Sequence, residues 1–133
     1  MIIVDSSVVV AIMRGEADAP IWTDALDRST KSLMSVVSYV ETNMVIAGRR
    51  PDADSRRIHA LLRALQIEVV PVTLDHGTAA IGAFMTYGKG RHPARLNFAD
   101  CFAYGLAKSR NLPLLFKGDD FRQTDIVPAW RPR

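Results

Sequence analysis

The sequence predicts a doubly wound α/β sandwich, a mainly parallel sheet with helices on both faces. Short apolar or β-branched runs of buried-strand length occur at IIV (2–4), Leu33–Met34, EVVPV (68–72) and LLF (114–116). Longer stretches with apolar residues at helical spacing lie between them, and such alternation demands right-handed crossovers and a parallel sheet. No repeat, low-complexity segment or separating linker interrupts the pattern, so residues 1–133 read as one domain.

IIV at 2–4 opens the chain as a buried strand, and Ser7 to Arg14 follows as a short helix closed by Gly15. Ile21–Leu26 begins a second helical stretch, with Pro20 at its start, where a missing N–H costs nothing. After the strand near Leu33–Met34, VVSYVETNMVIAG (36–48) sets Val36, Val37, Val40, Met44 and Ala47 at helical spacing, with Gly48 as its stop. DADSRRIHALLRALQ (52–66) is amphipathic, its apolar face being Ile58, Leu61, Leu62 and Leu65. EVVPV then leads into a helix from about Asp75 to Tyr87. The basic loop YGKGRHPARLN (87–97) precedes the helix FADCFAYGLAKSRN (98–111), whose apolar face contains Phe98, Phe102 and Leu106. LLF is the next strand, and IV at 126–127 is a candidate last one.

Composition excludes several classes. No apolar run nears the ~20 residues of a membrane helix. The apolar start lacks a preceding basic residue and is broken by Asp5, so it reads as a strand and not as a signal peptide. The single cysteine, Cys101, excludes an internal disulfide, and His59, His76 and His92 lack metal-ligand spacing. The expectation is a cytoplasmic protein without membrane association. No P-loop, GxGxxG or Ser–His–Asp pattern is present.

Such a fold binds ligands beyond the carboxyl ends of its strands, and four acids are candidates to meet there. Asp5 follows the first strand, and Asp119 follows LLF through Lys117 and Gly118. Asp100 lies in the first turn of its helix, and Glu41 borders the apolar stripe of the 36–48 helix. Each has an ordinary explanation as cap, helix-terminus charge, solvated helix residue or turn residue. Their convergence is the sharper expectation. Two carboxylates ~5 Å apart repel by roughly 3 kcal/mol at an effective dielectric of ~20. Four together therefore approach a domain's whole stability, ~5–15 kcal/mol, unless they take up protons, spread apart or bind a cation. Oxygen donors without His or Cys select Mg²⁺ or Mn²⁺, which can polarise a phosphate and activate water.

The pieces IIVDSSV, SVVSYVET, KGRHPARLNFADCFAYGLA and LLFKGDDFRQTDI, in this order over nearly the full length, resemble the PIN-domain ribonucleases, specifically VapC-type toxins of toxin–antitoxin pairs. The resemblance implies a PIN-like fold with catalytic and metal-binding roles on Asp5, Glu41, Asp100 and Asp119. It implies a water-holding hydroxyl on Ser7 and a supporting role for Asp120, which falls at the family's DF aspartate. It further implies Mg²⁺- or Mn²⁺-dependent endonucleolytic cleavage of RNA, a homodimer, and a VapB-type antitoxin whose tail blocks the acidic site.

The substrate needs a grip other than the acids. With four of the 14 acids at one site, the remaining surface has 17 basic side chains against ten acids, a balance that attracts polyanions. Lys89, Arg91, His92 and Arg95 sit just before the Asp100 helix, placed to bind flanking phosphates of an RNA such as tRNA or rRNA. Tyr87 and Trp22 are candidates for base stacking. The helices at 20–28 and 54–66 are candidates for an antitoxin groove. The alternative is a receiver-like α/β module with an acidic Mg²⁺ pocket. It expects paired acids after the first strand, where this chain has DSS, and a lysine after the last, near which Lys117 lies.

Overall fold

The computed structural model describes residues 1–132. Its strands are β1 (Ile2–Val4), β2 (Ser32–Ser35), β3 (Ile67–Val70) and β4 (Leu114–Leu115). Its helices are α1 (Ser6–Met13), α2 (Ala19–Asp27), α3 (Val36–Arg49), α4 (Ser55–Ala64), α5 (Leu74–Tyr87) and α6 (Phe98–Arg110). The strands form one parallel sheet in the order β3-β2-β1-β4. The chain winds outward from β1 through β2 to β3 and then crosses back to β4. The reversal of direction falls between β1 and β4 and defines the crevice.

Side chains alternate across the sheet with a period of two. Ile3 is in register with Leu33 and Leu114, and all three join the core beneath α5 and α6. Val4 and Leu115, also paired, point to the other face, where Val8, Trp22, Leu26, Ile58 and Leu62 complete a second core. Trp22 and Leu26 of α2 and Ile58 and Leu62 of α4 are thus spent on packing, while Ile21 is exposed and Leu61 and Leu65 are half-buried. Gly105 lets α6 approach α5 closely, since a Cβ there would lie 2.6 Å from the carbonyl oxygen of His76.

The structure departs from the sequence expectation in four respects. In α3 the buried residues are Ser38, Thr42 and Ile46, whereas Val40 and Met44 are 47% and 69% exposed. Small side chains let α3 lie close to its neighbours, and the Thr42 hydroxyl is satisfied by the Ser38 carbonyl at 2.8 Å. Gly48 is inside α3, which runs on to Arg49. Phe98 is not on the packed face of α6 but 74% exposed, while Ala99, Cys101, Ala103 and Leu106 are buried. No strand forms at 126–127. A lone bridge joins Leu114 to Pro128, which has no N–H to extend the ladder.

Candidate active site

The acidic site is built on the ends of β1 and β4. The Asp5 N–H donates to the Leu115 carbonyl at 2.9 Å, carrying the ladder one residue past β1 and setting Asp5 at the crevice. Asp5 caps α1: its Oδ2 accepts from the Ser7 N–H at 3.1 Å and from the Ser7 hydroxyl at 2.6 Å. The Ser7 hydroxyl accepts in turn from the Lys117 N–H at 3.0 Å, locking the end of β4 to the start of α1. Oδ1 of Asp5 is buried and has no hydrogen-bond partner.

Glu41 reaches the same place from α3, half-buried, and accepts from the Ser6 hydroxyl at 2.5 Å. Asp100 is the third residue of α6 and forms a capping box with Asn97. Asn97 Oδ1 accepts from the Asp100 N–H at 2.8 Å, and Asp100 Oδ2 accepts from the Asn97 N–H at 3.0 Å.

These three carboxylates share one electrostatic neighbourhood. Burial pushes the Asp5 carboxyl up to about 6 despite the Ser7 hydrogen bonds, and the Glu41 charge adds to the rise. Burial also pushes Asp100 up to about 7, reinforced by the charges of Asp5, Glu41 and Asp120. The neighbouring Cys101 thiol is driven up to about 11 by burial and the Asp100 charge, so it is no thiolate nucleophile.

The two acids after β4 behave differently. Gly118, at φ +106°, turns the chain out of the strand. Asp119 then projects outward, its side chain 86% exposed and 3.8 Å from Arg122. Asp120 is also exposed, and its charge adds to the rise at Asp100. Lys117 does not face the acids as a receiver-like site requires; its Nζ pairs with Glu16 at 3.3 Å and Asp18 at 3.0 Å.

The donor set fits a hard divalent cation. It is all oxygen, and the orphaned Asp5 Oδ1 lacks the positive partner that a buried carboxylate oxygen requires. Among the described residues, no three His, Cys, Asp or Glu side chains are gathered tightly enough to hold an ion directly. Water would complete the shell, as it commonly does around Mg²⁺.

The basic loop lies beside this edge. Its ends are pinned by the Leu96 N–H to the Tyr87 carbonyl and the Lys89 N–H to the Leu96 carbonyl, both at 3.0 Å. Gln123, just after Asp120, donates to the Pro93 carbonyl at 3.5 Å. Lys89, Arg91 and Arg95 are exposed, and among the described residues none is in an ion pair. His92 is half-buried; its Nδ1 accepts from the Ala94 N–H at 3.0 Å and its ring stands edge-on to Tyr87. Neither proposed stacking aromatic is free. Trp22 is buried against Trp130 with centroids 5.2 Å apart, and Tyr87 packs between His92 and Tyr104.

Sequence reasoning missed Ser6, Asn97 and the backbone of Lys117. The N-x-x-D spacing at 97–100 is a readable capping signal. Ser6 and Lys117 carry no such signal, because their partners lie 35 and 110 residues away.

Residues 2–127 match the PIN domain family. The chain is 43% identical over 130 residues to the VapC ribonuclease Mb0640 of Mycobacterium bovis, covering 98% of this chain and 99% of that one. It is 44% identical over 128 residues to ribonuclease VapC42 of Mycobacterium tuberculosis, covering 96% and 98%. Among solved structures, Mycobacterium tuberculosis VapC20, described as a sarcin–ricin loop cleaving toxin, superposes with a TM-score of 0.77 at 18% identity over 99% of this chain and all of that one. A toxin–antitoxin complex from Klebsiella pneumoniae superposes at 0.71 and 16% identity with the same coverage. At these identities the superpositions speak for the fold.

Proposed function

The chain belongs to the PIN domain family, and from that premise we propose that it is a VapC-type endoribonuclease, the toxin of a toxin–antitoxin pair. The observation that carries the reading is the buried Asp5, with Oδ1 unpartnered, beside an Asp100 whose charge it opposes, at the crevice between β1 and β4. Bound Mg²⁺ or Mn²⁺ would supply activation of water and neutralisation of charge on the phosphoryl oxygens. Asp5 and Asp100 would hold the ion, with Asp5 fixed by Ser7 and Asp100 by Asn97. Glu41, held by Ser6, would orient the attacking water and accept its proton. Of the acids after β4, Asp120 would serve the site directly, and Asp119 would act at longer range. Lys89, Arg91 and Arg95 would bind phosphates flanking the cut, and His92 would shape their loop.

The charge of this edge also suits the partner. A VapB-type antitoxin would place a basic tail among the acids and so block the ion. A second copy would cover the outer face of α5, where Leu74, Ile81 and Met85 are 86%, 67% and 57% exposed. No helix among the described residues is long and apolar enough to cross a membrane. The substrate would be a cytoplasmic RNA such as tRNA or rRNA. The match over residues 2–127 supports reading the 133 residues as one nuclease domain.

The test is cleavage of structured RNA by purified protein with Mn²⁺ or Mg²⁺, beside Asp100→Asn prepared identically. Loss of cleavage in EDTA and in the variant is expected. Equal cleavage by both proteins, or none of any RNA with the ion bound, would overturn the reading.

A further inference from the structure

The C-terminal run of the chain builds a basic pocket on the β4 side of the crevice. The Leu114 N–H donates to the Val127 carbonyl and the Ala129 N–H to the Leu114 carbonyl, both at 2.9 Å, so residues 127–129 lie along the edge of β4. Past a bend at Ala129, the half-buried Trp130 packs edge-on against Trp22 of α2 with centroids 5.2 Å apart, which anchors the tail. Arg122 and Thr124 form one wall, and Pro128, Trp130 and Arg131 the other, of a pocket of about 460 Å³. That volume lies within the roughly 300–1,000 Å³ of small-ligand sites. Its charged groups are two guanidiniums. The Thr124 hydroxyl is spent within its own turn, donating to the Phe121 carbonyl at 2.7 Å and accepting from the Ile126 N–H at 3.2 Å. Asp125 is engaged by Tyr104 and Lys108. Arg122 has a loose, exposed pairing with Asp119 at 3.8 Å, and the exposed Arg131 is in no ion pair among the described residues. Two like charges lining one pocket repel until an anion joins them.

We propose that this pocket is a phosphate subsite for the RNA strand, in which Arg122 and Arg131 grip one phosphodiester on the flank of the cut opposite the basic 87–97 loop. The inference rests on the ribonuclease reading and extends its substrate grip to the C-terminal tail. Arg122 stands two residues after Asp120, on the short helical turn Phe121–Gln123 that follows the acids. Tyr87, against which His92 of the loop stands, packs on the core beneath α5 and α6, whereas Ala129 and Trp130 pack on the core of the other face. The loop and the pocket thus belong to opposite faces of the sheet. The turn lies between them: Gln123 donates to the Pro93 carbonyl of the loop, and Arg122 lines the pocket. A strand crossing the crevice therefore meets exposed cations on both sides of the acids, which suits a phosphate backbone. The planar guanidinium fork matches two phosphate oxygens at once. An RNA strand is favoured over an acidic protein segment because the substrate already lies at the neighbouring acids, so this contact adds to one bound chain.

The subsite is tested with the full chain in EDTA and a fluorescein-labelled single-stranded dodecaribonucleotide, read by anisotropy over a range of KCl concentrations. Arg122→Ala together with Arg131→Ala should lower the slope of log affinity against log salt by about 0.7, the share of one phosphate on a single strand. Arg122→Lys together with Arg131→Lys should keep the slope and bind more weakly, because an ammonium has no fork. With Mn²⁺ and a cleavable RNA, the alanine pair should raise KM about fivefold and leave kcat within about twofold, the mark of a contact made equally in ground and transition states. Equal affinity, slope and KM for the alanine pair and the natural chain, with RNA cut by both, would overturn the subsite alone. A polyglutamate peptide that binds the natural chain and not the alanine pair, with RNA indifferent to the change, would also overturn it and give the pocket to an acidic protein segment. Absence of both RNA binding and cleavage in the natural chain would overturn the ribonuclease reading itself. Both arginines are exposed, so these variants should keep the natural thermal melt, which separates loss of binding from loss of fold.

Discussion

The Ser6 hydroxyl donates to Oε1 of Glu41 across 35 positions of sequence, joining the first turn of α1 to the middle of α3. Ser7, the next residue, donates to Asp5 instead. Two adjacent serines thus hold two different acids of one site.

Ser6→Ala should leave Glu41 free to swing. A hydrogen bond to a charged group contributes about 1.5–3 kcal/mol where it is sheltered, and this one is only partly buried, so the expected cost in stability is about 1 kcal/mol. The larger effect is on chemistry: kcat falls roughly tenfold at unchanged KM, about 1.4 kcal/mol in the barrier. Ser6→Thr keeps the hydroxyl and should keep kcat. Single-turnover cleavage and thermal melts of both variants check this.

Stability without metal should fall as pH rises through the site. Asp5 and Asp100 are raised to about 6 and about 7 in the fold, above their usual 3.8. The folded state therefore binds more protons than the unfolded chain between about pH 4 and pH 7, and stability declines across that window as pH increases. Asp100→Asn should flatten the decline and melt higher than the natural chain at pH 8 in EDTA. Mn²⁺ should raise the melting point of the natural chain at pH 8 and leave the variant nearly unchanged. Melts at several pH values in EDTA and Mn²⁺ measure both. A natural chain that gains stability from pH 5 to pH 8 in EDTA relative to the variant would contradict the assignment.

Asp120→Asn should reduce kcat at least tenfold, while Asp119→Asn changes it less than threefold. Asp120 is the acid whose charge bears on Asp100, and Asp119 points away toward Arg122. Cleavage rates of the two variants at saturating Mn²⁺ give the comparison directly, and the reverse order would return the role to Asp119.

Replacing Lys89, Arg91 and Arg95 together by Ala should weaken RNA binding without lowering the melting point, because all three are exposed. Each phosphate contact adds about 0.7 to the slope of log affinity against log salt for a single strand. The triple variant should therefore lose about two from that slope, measured by anisotropy over a range of KCl concentrations.

Much of this was legible in sequence. IIV and LLF were readable as strands, and Asp5 and Asp100 as acids at a strand end and a helix start, because strand length, helical spacing and capping chemistry act within a few residues. The stripe Val36, Val40, Met44 was equally visible, yet its direction was not. Periodicity reports that one side of a helix is apolar and does not say which neighbour covers it. In α3 the core took Ser38, Thr42 and Ile46 instead, the small Ser38 and Thr42 permitting close approach, and the apolar side became a groove wall.

By itself, then, the sequence determined the alternation of parallel strands and helices and the chemical character of an oxygen-rich site, both consequences of local preference and residue type. Only the tertiary structure decided that Ser6 serves Glu41, that Asp119 projects outward beside Arg122, and that Phe98 stands open while Trp22 is buried. Those facts depend on side chains tens of residues apart meeting across the β1–β4 crevice, and whether they meet is set by packing.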